Sequence, residues 1–138
     1  MIVVPARNEA PRVGRVVTEV RAVLPGVPVL VVENGSSDAT ADVARAAGAE
    51  VIHSGPGYAR ALRAGFDHAL RAGATWVVQM DADEQHPAVA LPGLLRALDG
   101  ADVVVGSRFV GEPGYRVPTH RRVAIDALAA WASVCAGQ

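Results

Sequence analysis

The sequence predicts an α/β fold layered around one mostly parallel sheet. Short β-branched runs alternate with stretches of helical period along the chain, Val29 to Val32 is continuously apolar as befits a strand covered on both faces, and polar clusters follow four of the runs. At 138 residues and 14.3 kDa a single domain is expected. Hydrophobic residues make up 51% and charged residues 20%, which excludes disordered, collagen-like and coiled-coil classes.

Ile2 to Val4 is the first predicted strand, ended by Pro5. Val13, Val16, Val17, Val20 and Leu24 then mark one face of a helix stopped by Pro25-Gly26. Val29 to Val32 is the second strand, followed by a Gly35-Ser36-Ser37-Asp38 turn able to cap a helix ending near Gly48. Glu50 to His53 forms a third strand, and Ala59, Leu62, Phe66, Ala69 and Leu70 give helical spacing that closes at Gly73. Thr75 to Met80 is the fourth strand, Ala88 to Leu98 a helix with Pro92 near its first turn, and Asp102 to Val105 a fifth strand in the same sheet. Turn-forming residues from Gly111 to Tyr115 predict a mobile, lid-like loop before a last helix from about Thr119 to Cys135.

All 13 basic residues are arginine and nearly balance 14 acidic ones, so a net charge of −1 provides no general field for nucleic acid or anionic lipid. The lone Cys135 excludes an internal disulfide and points to a reducing compartment. Met1 runs into Ile2-Val3-Val4 with no basic leader, and no apolar run reaches the roughly 20 residues of a membrane-spanning helix; a cytoplasmic protein is expected.

In open α/β sheets ligands bind at the carboxyl ends of the strands. Four clusters should converge there: Pro5 to Glu9, Glu33 to Asp38, Asp81 to His86, and Gly106 to Phe109. Asp81 and Asp83, at i and i+2 on a segment leaving a strand, point the same way and can hold one divalent ion; all-oxygen ligands suit Mg²⁺ or Mn²⁺. Such an ion leaves positions for phosphate oxygens and offsets charge on a diphosphate leaving group. The competing reading is an Asp-rich turn with solvated carboxylates. Asn8 and Glu9 either cap the first helix or bind a ligand. Glu33 and Asn34 carry groups suited to a base edge or ribose, and Gly35 lets the chain pass close to a ligand. Gly55-Pro56-Gly57 reads as a turn, and Arg60 and Arg63 as solvated helix face. Among the histidines only His86, beside the acidic pair, invites a role in the site. Arg108, Arg121 and Arg122 flank the expected lid, where guanidinium groups serve either as phosphate ligands or as surface charge.

Taken in order, VVPARNEA, VVENGSSDAT, VVQMDADEQHP and VVVGSRF resemble the donor and metal motifs of the family 2 glycosyltransferases of GT-A fold, especially the polyprenyl-phosphate sugar synthases. The resemblance implies a Rossmann-like three-layer α/β/α sandwich, C-terminally abbreviated, with residues 1–110 as donor and metal half and 111–138 as loop and terminal helix. It implies Pro5, Arg7 and Glu9 in the nucleotide-sugar site, Glu33 and Asn34 near base or ribose, and Asp81, Asp83 and Gln85 on Mg²⁺ or Mn²⁺. Arg108 and Arg121 would approach the phosphates, with Asp83, Arg108 and Arg121 as the catalytic group. The implied partners are a GDP- or UDP-sugar and a polyprenyl-phosphate acceptor. The apolar final helix either packs on the sheet, the simplest reading, or meets a second subunit or a membrane surface as a peripheral contact, and the high apolar content favours self-association. Such an acceptor is already anionic, so positioning and charge screening matter more than a general base.

The sequence departs from the family pattern at Glu33-Asn34, where two aspartates are usual, and at Ile125, where related synthases carry a serine. It also stops one helix beyond GSRF, so a non-catalytic nucleotide-sugar-binding module is the alternative from another class. A nucleotidyltransferase would need a Gly-rich, lysine-containing loop after the first strand, and a dehydrogenase a glycine fingerprint there. PARNEA has neither.

Overall fold

A computed structural model describes residues 1–107. Its core is a four-stranded parallel sheet made of β1 (Ile2–Ala6), β2 (Val29–Glu33), β3 (Glu50–His53) and β4 (Val78–Gln79), in spatial order β3-β2-β1-β4. The helices are α1 (Ala10–Val23), α2 (Thr40–Ala46), α3 (Tyr58–Arg71) and α4 (Leu91–Ala97), the last preceded by a 3-10 turn at Ala88–Ala90. Residues 1–104 form one compact unit; a second unit, residues 105–138, is described only at 105–107.

Every residue of β1 and β2 is buried, which explains why both read as unbroken apolar runs instead of alternating ones. Side chains still alternate between two cores. Ile2, Val4 and Ala6 join Val13, Val16, Val17 and Val20 of α1 with Val29, Val31 and Leu91, while Val3, Leu30 and Val32 meet Ala61 of α3 on the opposite face. The result is the expected three-layer α/β/α arrangement.

Four details of the sequence reading change. β1 continues through Pro5, paired with Val32, to Ala6. Ile2 and Ala6 turn their backbone groups toward β2, so by alternation Pro5 faces the β4 side, where the ladder ends at the bond from the Met80 amide to the Val3 carbonyl. Its missing N–H therefore breaks no ladder bond. The expected six-residue fourth strand is reduced to Val78–Gln79, which leaves too short an edge to template a fifth. Accordingly, 102–105 carries no strand, and Val103 is 78% exposed.

The fourth change concerns α3, whose buried stripe is Ala61, Gly65 and Ala69, whereas Phe66 and Leu70 are exposed. Small residues allow α3 to lie close on the sheet: a Cβ on Gly65 would stand 2.4 Å from Val3 Cγ1 and 3.0 Å from Val32 Cγ2. The predicted lid at 111–115 and the helix from Thr119 to Cys135, with Ile125, fall outside the described residues.

Candidate functional site

Parallel pairing brings the ends of β1 and β2 side by side, and the Asn34 amide donates to the Ala6 carbonyl at 3.1 Å. The loops beyond them are clasped together. Asn8, in the left-handed region at φ 56, accepts at Oδ1 from the Ser37 amide at 2.9 Å, and its own amide donates to Ser36 Oγ at 3.0 Å. The Glu9 amide donates to Thr40 Oγ1 at 2.9 Å and the Ala10 amide to Asp38 Oδ2 at 3.2 Å. The first amides of α1 are thus satisfied by the neighbouring loop, while Glu9 caps through its carbonyl and leaves its side chain to the site. The Thr40 hydroxyl, against opposing desolvation and with help from the Ala10 and Thr40 amides, holds the Asp38 carboxyl below its usual range.

Around this clasp lies a cleft of ≈220 Å³ lined by Pro5, Arg7, Glu9, Asn34, Tyr58, Asp81, Ala82 and Asp83. Six of the residues expected in the site meet there: Pro5, Arg7, Glu9, Asn34, Asp81 and Asp83. Asn34 is only 5% exposed, and its buried Oδ1 has no hydrogen-bond partner among the described residues. An unmatched buried acceptor in a cleft wall is a group waiting for a donor. Arg7 is exposed and makes no hydrogen bond or ion pair among the described residues, so its guanidinium is available to an anion. Glu9 Oε2 sits 3.3 Å from Arg12 Nε.

The acidic pair is held by its own turn. Asp83 Oδ1 accepts from the Gln85 amide at 3.0 Å, Ala82 is buried, and Glu84, at φ 67, is tied to Arg15 of α1 at 3.1 Å. The Asp81 amide donates to His86 Nδ1 at 3.3 Å, which gives His86 a supporting part. Gln85 is exposed and is not among the cleft-lining residues, and its backbone amide donates to Asp83.

Glu33 does not line the cleft. Its Oε1 accepts from the Gly35 amide at 2.7 Å and from the Ser36 amide, while Oε2 accepts from His53 Nδ1 at 2.8 Å. Arg45 Nη2 lies 3.1 Å from His53 Nε2, and a guanidinium can only donate, so the other ring nitrogen carries the proton given to Glu33. Burial pushes the Glu33 carboxyl up, but the Ser36 amide, His53, the Ser36 hydroxyl and the Gly35 amide outweigh it and bring the pKa to about 2. The turn requires Gly35 at φ 93.

Tyr58 is the site residue that the sequence reading missed. Its hydroxyl donates to Asp81 Oδ1 at 3.1 Å, and Gln79 Nε2 donates to the same oxygen at 2.8 Å. Burial, then the bond to Asp81 and its charge, push the Tyr58 phenol up. The available signal was its place directly after Gly57, at the carboxyl-end side of β3. Arg108 and Arg121 lie outside the described residues.

Three carboxylates, Glu9, Asp81 and Asp83, face the cleft against the single guanidinium of Arg7 among the described residues. A diphosphate would be repelled there unless a cation intervened, and two carboxylates with phosphate oxygens suit a hard divalent ion. Among the described residues no three His, Cys, Asp or Glu side chains gather to cage a metal alone, so the donor set fits a cation shared with its ligand.

Comparison with known proteins follows the same lines. A family model described as "Glycosyl transferase family 2" matches residues 1–132. The polyprenol monophosphomannose synthase of Mycolicibacterium smegmatis is 39% identical over 119 residues, covering 80% of this chain and 45% of that protein. The undecaprenyl-phosphate mannosyltransferase of Micrococcus luteus is 36% identical over 133 residues, covering 89% and 54%. The chain therefore spans about half the length of these curated relatives. Among solved structures, glucosyl-3-phosphoglycerate synthase from Mycobacterium tuberculosis in complex with Mn²⁺, UDP and glucosyl-3-phosphoglycerate superposes with a TM-score of 0.55 at 26% identity, over 70% of this chain and 38% of that one.

Proposed function

This chain belongs to glycosyl transferase family 2, and from that premise we propose that it forms the donor-binding half of a metal-dependent glycosyltransferase acting on a GDP- or UDP-sugar. The observation that carries the reading is the convergence of Arg7, Asn34, Asp81 and Asp83 on one cleft at the carboxyl edge of the sheet, with the Asn34 acceptor unmatched among the described residues. Asn34 takes an N–H from the base or a hydroxyl from the ribose, and Arg7 grips diphosphate oxygens. Asp81 and Asp83 hold Mg²⁺ or Mn²⁺, the ion that the solved M. tuberculosis relative carries as Mn²⁺ beside UDP. When bound, the ion supplies positive charge to the departing diphosphate.

The acceptor in this reading is a polyprenyl phosphate, supported by the names of the two mannosyl-transferring relatives, with inversion at the anomeric centre as part of the proposal. Its phosphate is anionic near neutral pH, so attack needs alignment and screening of charge, not a proton acceptor. Arg108 and Arg121 are assigned to those phosphates. With a lipid-linked acceptor the protein works at the cytoplasmic membrane face as a peripheral enzyme; no helix among the described residues is long and apolar enough to cross a bilayer.

Donor turnover measured with Mn²⁺ or Mg²⁺ tests this. The wild type should release nucleoside diphosphate only with metal, and Asp83→Ala should lower that rate by about 100-fold or more. The second reading is a donor-binding module without turnover, in keeping with a cleft where no three His, Cys, Asp or Glu side chains gather among the described residues. Nucleotide-sugar binding with no metal-dependent turnover would establish that reading and refute the first.

A further inference from the structure

We propose that Tyr58 is a positioning residue of the metal site: together with Gln79 it holds one oxygen of Asp81 so that the other is presented to the cation. The inference rests on the donor-and-metal reading of the cleft. Asp81 leaves β4, a strand of two residues that among the described residues pairs with β1 alone, so the sheet itself does little to orient its side chain. Three atoms take over that task. Asp81 Oδ1 accepts from Tyr58 Oη at 3.1 Å and from Gln79 Nε2 at 2.8 Å, and Gln79 Nε2 lies 3.2 Å from Tyr58 Oη, closing a triangle. Asp81 Oδ2 makes no hydrogen bond among the described residues and remains for a ligand.

Tyr58 is placed for this role and for little else. It is the first residue of α3, its ring lines the cleft, and at 53% exposure it has no place in either core. Its height above the sheet is set by the close seating of Gly65 on Val3 and Val32, so the helix delivers the hydroxyl to Asp81 at a fixed level. A carboxylate with one oxygen pinned by two donors enters metal binding already oriented, and losing such a partner typically weakens a metal by about 10- to 100-fold.

The test is Mn²⁺ titration of the full chain, followed by electron paramagnetic resonance of the free ion in the presence of UDP and, separately, GDP. Wild type, Tyr58→Phe and Gln79→Met are compared. Each variant should weaken Mn²⁺ binding by about 10-fold or more while its metal-free melting temperature, and its nucleotide affinity in EDTA, stay those of the wild type. Wild-type Mn²⁺ affinity in both variants overturns the positioning role and leaves the donor-and-metal reading standing. An equal loss of nucleotide affinity in EDTA also overturns it, because the ring would then be a donor contact. Failure of the wild type to take up Mn²⁺ with either nucleotide refutes the reading of the cleft, and the inference with it. If Tyr58→Phe does not fold, Gln79→Met decides alone.

Discussion

Replacing Gly65 by alanine tests whether α3 is seated by closeness, not by large apolar side chains. At an open helical position this exchange stabilises by about 1 kcal/mol, because alanine restricts the unfolded chain and glycine does not. Here the new methyl would lie 2.4 Å from Val3 Cγ1 and 3.0 Å from Val32 Cγ2, both fully buried on adjacent central strands. Both valines are enclosed by the core on every side, with 0% exposure, so the cost is taken at the upper end of the ~1–3 kcal/mol range for overpacking. The net effect is a loss of about 2 kcal/mol, a large part of a stability of roughly 5–15 kcal/mol. For a domain of this size the melting temperature should fall on the order of 5–10 °C in differential scanning calorimetry. Gly93→Ala is the control, because the nearest atom to its added Cβ is Arg96 Nη2 at 3.9 Å, and it should melt at or above the wild type. The substitution should also lift Tyr58 from Asp81 and weaken Mn²⁺ binding. A Gly65→Ala protein that melts as high as the wild type would refute the close seating and the delivery of Tyr58 that depends on it.

Two further outcomes follow from the clasped loops. Glu33 is 8% exposed, and its carboxyl is lowered from 4.5 to about 2, an interval worth roughly 3 kcal/mol. Because the folded value lies below the unfolded one, this stability is fully present above pH 4.5 and is lost as pH falls toward 2. Urea unfolding across that window should show the decline in the wild type and a flatter profile in Glu33→Gln. Thr40 is fully buried, and its hydroxyl accepts from the Glu9 amide and donates to Asp38 Oδ1. Thr40→Val keeps the shape but strands that amide, so chemical denaturation should report a loss of about 1–3 kcal/mol, with weaker nucleotide binding as the Glu9 loop loosens.

Elements whose signal is local were legible before folding. Val13, Val16, Val17 and Val20 recur at helical spacing and form the buried face of α1; Glu50 to His53 forms β3 with the bounds expected. Phe66 and Leu70 misled because hydropathy rewards large side chains, whereas α3 approaches the sheet through Ala61, Gly65 and Ala69, which carry little such signal. Its place at the end of a strand points Glu33 toward a ligand, yet its carboxylate bends back onto the amides of its own turn and onto His53, 20 residues further along.

The order of the first four strands and their helices, the parallel sheet, and the loops that carry Arg7, Asn34, Asp81 and Asp83 to its carboxyl edge are all written along the chain, because repeating βα units impose that edge through spacing alone. Tertiary structure decided what those side chains do there: Asn34 left open, Glu33 occupied by its turn, and Asp81 pinned by Tyr58 from 23 residues away. The difference is physical. Periodicity is written between neighbours in the chain, whereas a hydrogen bond between two loops exists only once the strands beneath them have fixed their separation.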